Sequence, residues 1–135
     1  MPSEEVRRNA LIELSNLLEA LDREVDVVLV EGSRDVDALR RLGFRGRIQV
    51  CSRVGVSNSD LVEDLARSAS AVAIYTDFDA AGRRLNRRLT RLLELKGVMV
   101  EARLRRALRR LMATLGAYAV EALDDVAEEL TRDYS

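Results

Sequence analysis

Two short acidic signatures carry the reactive potential of this 135-residue chain. Glu31-Gly32 follows the β-branched run Val25-Asp26-Val27-Val28-Leu29-Val30, and Asp77-Phe78-Asp79 follows Ala71-Val72-Ala73-Ile74-Tyr75-Thr76. Asp77 and Asp79, two apart in a turn leaving a strand, can point at one cation. Carboxylate oxygens around an octahedral centre are what Mg2+ or Mn2+ prefers. Like charges resist sharing a site, so either a metal neutralises the three acids or the strands that carry them are not adjacent. Each signature also has a plainer reading. Glu-Gly is an ordinary turn, and Asp-x-Asp ahead of a helix is an N-cap in favourable contact with the helix dipole. Their occurrence together at equivalent strand ends favours the chemical reading. Gly32 is expected to let the backbone turn sharply beside a ligand, and Gly82 to do the same at the start of the next helix.

Composition narrows the chemistry further. The chain has no histidine, which removes triads with an imidazole base and zinc sites with histidine ligands. Cys51 is the only cysteine, so no internal disulfide forms, and a cytoplasmic protein is the simplest expectation. Aromatic residues make up 4% with no tryptophan, leaving little with which to stack single-stranded bases. No apolar run reaches the roughly 20 residues of a membrane span, and Met1-Pro2-Ser3-Glu4-Glu5 lacks the apolar stretch of a signal peptide. No membrane partner is expected.

The elements that must position the acids are legible from periodicity. Val6, Ala10, Leu14, Leu17, Leu18 and Leu21 predict an amphipathic helix over 3–22 with Ser3 as N-cap. Further helices are predicted over 34–42, closed by Gly43, over 59–68 with Ser57 or Asn58 as cap, and over 80–95, stopped by Gly97. Two more are expected to finish the chain, at 102–115 and 119–131, broken near Gly116. Strands are predicted at 25–30, 48–51, 71–76 and 98–100. This alternation implies one α/β domain over 1–135, with a four-stranded, mostly parallel sheet flanked by helices. Ligands of such sheets sit outside the carboxyl ends of the strands, where Glu31, Asp77 and Asp79 fall. For the three acids to act together, the first and third strands must be neighbours.

Val30-Glu31-Gly32-Ser33-Arg34-Asp35-Val36 resembles the first motif of the Toprim family, and Thr76-Asp77-Phe78-Asp79-Ala80-Ala81-Gly82 resembles the second, Asp-x-Asp-x-x-Gly. The resemblance covers about residues 25–101. Toprim domains are the catalytic module shared by topoisomerases, bacterial-type primases, OLD-type nucleases and the 5S ribosomal RNA maturase. The rest of the chain is too short for the extra domains of a topoisomerase or primase, so the whole is similar to the small stand-alone Toprim proteins of archaea and bacteria. The resemblance implies a Rossmann-like Toprim fold and phosphodiester chemistry on RNA or DNA. It makes Glu31 the general acid or base, with Asp77 and Asp79 holding Mg2+ (or Mn2+) against the scissile phosphate. Asp35 becomes an outer ligand or orienting partner, and Gly32, Arg34 and Gly82 line the substrate. Ser33 stands where the maturases often carry Lys, and Arg83 follows Gly82 where many members carry Glu. The first difference shifts phosphate contact to Arg34, and the second removes an acid from the metal site.

All basic residues but Lys96 are arginine, a bias that reads chiefly as compositional. Two of them stand apart. Arg83 and Arg84 lie in the first turn of the 80–95 helix, where the dipole disfavours cations. A phosphate there offsets the penalty, which makes this pair the substrate-contact candidates. Residues 83–110 carry 11 basic and two acidic residues, whereas 120–135 carry six acidic and one basic. Either the basic segment tracks a nucleic-acid backbone, or the acidic segment neutralises it within one chain or across a homodimer. Arg109 and Arg110, far along the chain from the motifs, serve as the comparison pair. Two functions remain: a metal-dependent nuclease-like enzyme, or a non-catalytic nucleic-acid-binding accessory module.

Overall fold

The computed structural model describes residues 3–52, 55–117 and 128. The helix expected over 119–131 and the acidic 120–135 segment therefore fall outside the described residues, apart from Glu128. The elements run α1 (Glu4–Glu24), β1 (Val27–Val30), α2 (Ser33–Arg41), β2 (Ile48–Val50), α3 (Asn58–Ser68), β3 (Ala71–Tyr75), α4 (Ala80–Leu95), β4 (Met99–Glu101) and α5 (Arg103–Leu115). Local chemistry sets most boundaries. Ser3 accepts the Val6 N–H at 3.2 Å and Ser57 accepts that of Asp60 at 3.1 Å, each satisfying a donor that the first helical turn leaves free. Gly116 closes α5 in the left-handed region at φ +74°, where a side chain would be strained.

The strand order is β2-β1-β3-β4, and all three pairs are parallel. The first and third strands are therefore neighbours, as the acids required. The register sets Val30 opposite Tyr75, so Glu31 and Thr76-Asp77 leave the sheet side by side. The chain runs outward from β1 to β2, returns to β3 and continues outward to β4. Between β1 and β3 lies the switch point where parallel sheets open a crevice.

Both faces of the sheet are covered, which explains why β1 is apolar at every position. Val28, Val30, Ala73 and Tyr75 pack with α1, α2 and α5, while Val27, Leu29, Val72 and Ile74 pack with α3 and α4. Cys51 belongs to the second cluster, as a small core residue. Burial, then the charges of Glu31 and Asp35, push its thiol up to about 12, leaving it protonated and unreactive at neutral pH.

Candidate metal and nucleic-acid site

The carboxyl ends of β1 and β3 bring together most of the acids singled out in the sequence. Glu31 and Asp77 are both half-buried, and their side chains are hydrogen-bonded, with protonated Glu31 donating to the Asp77 carboxylate. Burial raises the Glu31 carboxyl to about 7; the Asp77 hydrogen bond and the charges of Asp77, Asp79 and Asp35 push the same way. Four acids thus share one electrostatic environment, and one of them holds its proton close to neutrality.

They are not equivalent. Asp79 is the N-cap of α4, its Oδ1 accepting the Gly82 N–H at 2.7 Å. The capping reading of Asp-x-Asp is thus realised at its second acid. Asp35 is buried and accepts the Gly32 N–H on Oδ2 at 2.9 Å, tying the loop after Glu31 to the first turn of α2. Asp79 and Asp35 each give one oxygen to a backbone N–H, and among the described residues no three acidic or thiol side chains, the expected set of Glu31, Asp35, Asp77 and Asp79 included, are grouped so as to hold a metal ion.

The glycines act differently from expectation. Gly32 has extended backbone at φ −148°, open to any residue, so no sharp turn depends on it. Its added Cβ would meet nothing within 4 Å, which leaves room over the loop. Gly82 is buried against the Asp77 peptide: an added Cβ would collide with the Asp77 carbonyl oxygen and lie 2.6 Å from its carbonyl carbon. Its role is to let α4 close onto the acidic turn, where Thr76 Oγ1 donates to the Gly82 carbonyl at 2.7 Å. The structure thus shows a packing role for Gly82.

Arg34, Arg83 and Arg84 are exposed at the starts of α2 and α4. Arg83 Nη1 donates to the Phe78 carbonyl at 3.1 Å, which holds its guanidinium beside the acidic turn. Arg109, named as a remote comparison, lines the same cavity as Arg83. Their separation in sequence is closed by the fold, which sets α4 and α5 on opposite faces of the sheet with both lining that cavity.

The residue that sequence reasoning missed is Arg105. Strand β4 pairs only with Ala71–Ala73 of β3 and stops, so the β4-facing carbonyls farther along β3 have no strand partner. Arg105 supplies one. Its Nη1 donates to the Ile74 and Thr76 carbonyls, each at 2.8 Å, and Nη2 reaches the Asp77 carbonyl at 3.4 Å. Its guanidinium lies 4.6 Å from the centre of the Phe78 ring. Burial lowers it to about 10, so it stays charged. The available signal was its place on the apolar face of α5, three residues before Leu108 and seven before Met112, where a solvated Arg does not belong. Tyr75 is fully buried and Phe78 nearly so, both as packing groups.

The Toprim domain pattern matches residues 26–102. A UPF0292 protein of Thermococcus onnurineus is 39% identical over 95 residues, spanning 70% of this chain and 69% of its own. One from Pyrococcus furiosus is 37% identical over 114 residues, spanning 84% and 83%. Among solved structures, a protein from Aquifex aeolicus superposes with a TM-score of 0.67 at 28% identity, covering 81% of this chain and 96% of that one.

Proposed function

The chain belongs to the Toprim family of metal-binding, nucleic-acid-processing modules, and on that footing we propose that it catalyses Mg2+- or Mn2+-dependent phosphodiester transfer or hydrolysis on RNA or DNA. The observation that carries this reading is the β1–β3 pairing, which brings Glu31 into hydrogen-bond contact with Asp77. The donor set fits a hard cation: Mg2+ is commonly held by one or two carboxylates and completed by waters and substrate phosphates. Asp77 would be the carboxylate nearest the cation, with Asp79 at the rim, Glu31 beside it as the proton-transfer group and Asp35 fixing the Glu31 loop. Bound there, the cation would neutralise the acids and the charge gathering on the phosphate.

The rest is work for this chain's own side chains. With its carboxyl raised to about 7, Glu31 can both release and take up a proton near neutral pH, as a general acid or base must. It delivers that proton to the leaving oxygen while Asp77 orients it. Arg34, Arg83 and Arg84 bind phosphates at two helix starts that already favour anions, and the open space over Gly32 admits the substrate backbone.

Labelled RNA and DNA panels incubated with Mg2+ or Mn2+ test this reading. The wild type is expected to cleave or transfer, and Glu31→Gln to keep binding while losing turnover. Turnover unchanged in Glu31→Gln would contradict it. Metal-dependent binding without turnover in the wild type is the signature of the accessory-module reading.

A further inference from the structure

Strand β4 ends two residues before β3 does, and the notch beyond it is roofed by α4 on one face of the sheet and α5 on the other. Two cavities, of about 210 and 330 Å³, meet there and share Asn86, Arg87, Ala102 and Arg105. The first opens at Phe78, inside the acidic turn, and adds Arg83, Arg106 and Arg109. The second continues along α4 past Arg91. Together they form one groove that starts at Phe78, between Asp77 and Asp79 in the chain, and leads away from that turn.

The first cavity is lined by no acidic side chain among the described residues, whereas Glu94 and Glu101 line the second beside Arg87 and Arg91. Arg105 is spent on backbone carbonyls and Arg103, outside the groove, on Glu24 at 3.0 Å. Arg87, Arg91, Arg106 and Arg109 form no ion pair with any described residue. Arg83, Arg87, Arg106 and Arg109 therefore give the first cavity an exposed, wholly basic charged lining that attracts anions. Arg83, Arg87 and Arg91 recur every four residues, about 6 Å apart along the helix, close to the separation of successive phosphates in a nucleic-acid strand. Among the described residues the groove has no stacking platform, since Tyr75 is buried and Phe78 is nearly buried and covered by Arg105.

We infer that the α4–α5 groove binds a single strand of RNA or DNA through its phosphates, without regard to sequence, and feeds it to the acids at the β1–β3 edge. The cavity volumes suit one sugar-phosphate chain and are far too small for a duplex. The inference rests on the phosphodiester reading for the fate of the strand, but its binding is measured without turnover.

Fluorescence anisotropy of mixed-sequence single-stranded 12-mers, in EDTA and across a salt series, tests it. Single strands lose affinity with a logarithmic slope of about −0.7 per neutralised phosphate, so four arginines give about −3. Arg106→Ala with Arg109→Ala is expected to flatten the slope by about 1.4 and weaken binding roughly 20-fold at 0.1 M salt. Lysine at both positions is expected to restore most of the slope, which separates charge from folding. An unchanged slope in the double alanine variant, no binding by the wild type, or equally tight binding of a matched duplex or of polyglutamate overturns the groove assignment. Loss of binding in that variant while Glu31→Gln still turns over would leave the groove standing and sink the catalytic reading. The reverse pattern would do the opposite.

Discussion

The two edges of the β1–β3 pair present carboxylates in opposite states. At the amino edge, Asp26 accepts the N–H groups of Ser70 at 2.7 Å and Ala71 at 3.0 Å. These two hydrogen bonds, Ser70 first, lower its carboxyl below the usual range. At the carboxyl edge, Glu31 meets another carboxylate, is partly desolvated and is raised to about 7. One acid is satisfied by the backbone it ties together. The other is kept reactive by neighbours that do not satisfy its charge. Strand pairing gives both edges the same spacing, so the difference comes from what is placed opposite each acid: backbone donors at one end, further acids at the other. An acid cluster of that kind is unfavourable by itself and makes physical sense beside a cation.

The carboxyl edge depends on groups brought from elsewhere, so the largest losses are expected there. Gly82→Ala forces a methyl group into the Asp77 peptide. About 3 kcal/mol of stability should be lost, the upper range for overpacking, because backbone cannot step aside as a side chain does. Denaturant unfolding measures this, and a loss below about 1 kcal/mol would mean that α4 is free to move off the turn. Arg105→Met keeps volume but strands the Ile74 and Thr76 carbonyls. A loss of about 2 kcal/mol is expected from unsatisfied buried acceptors, with slower amide exchange at the amino edge than at the carboxyl edge.

Asp79 separates capping from metal binding. Asp79→Ala should lose about 1 kcal/mol, the usual worth of an N-cap, and Asp79→Ser should recover most of it. This reverses the simple expectation that removing any acid from the cluster relieves repulsion and leaves stability equal or higher. If the serine variant also keeps full divalent-cation affinity, Asp79 is a cap alone.

The smallest expected effects are in pH dependence, and they have opposite signs at the two edges. Glu31 binds its proton more tightly folded than unfolded, so its contribution is complete below about 4.5 and is lost as pH rises through about 7. Asp26 binds its proton less tightly folded, so its contribution is present above its unfolded value of 3.8 and is lost as pH falls below that. Melting temperatures in EDTA should therefore decline on both sides. Glu31→Gln should remove only the decline between pH 4.5 and 7, and Asp26→Asn only the acid one.

Much of this was legible in the sequence. Strand and helix order followed from periodicity, and β1–β3 adjacency followed from the demand that Glu31 reach Asp77. Ser3, Ser57 and Gly116 announced their caps because capping is a local interaction. Arg105 was not read, since its partners are carbonyls exposed by the point at which β4 stops, and nothing local to residues 98–102 fixes that point. Arg109 was misplaced for a related reason: sequence distance says nothing about two helices converging over one notch. Asp79 and Gly82 were singled out as a cation ligand and a substrate contact, whereas the cap and the close packing they also provide lie in the fit of α4 against the Asp77 turn, which spacing alone does not disclose.

The central claim is that Asp77, with Glu31 beside it, forms the core of a cation site. Thermal unfolding at pH 8, with and without Mg2+ or Mn2+, tests it most directly. The wild type is expected to gain stability with the cation. Asp77→Asn is expected to be at least as stable as the wild type in EDTA, because repulsion is relieved, and to gain nothing from the cation. A wild type indifferent to both cations, or an Asp77→Asn variant that gains as much as the wild type, would contradict the claim.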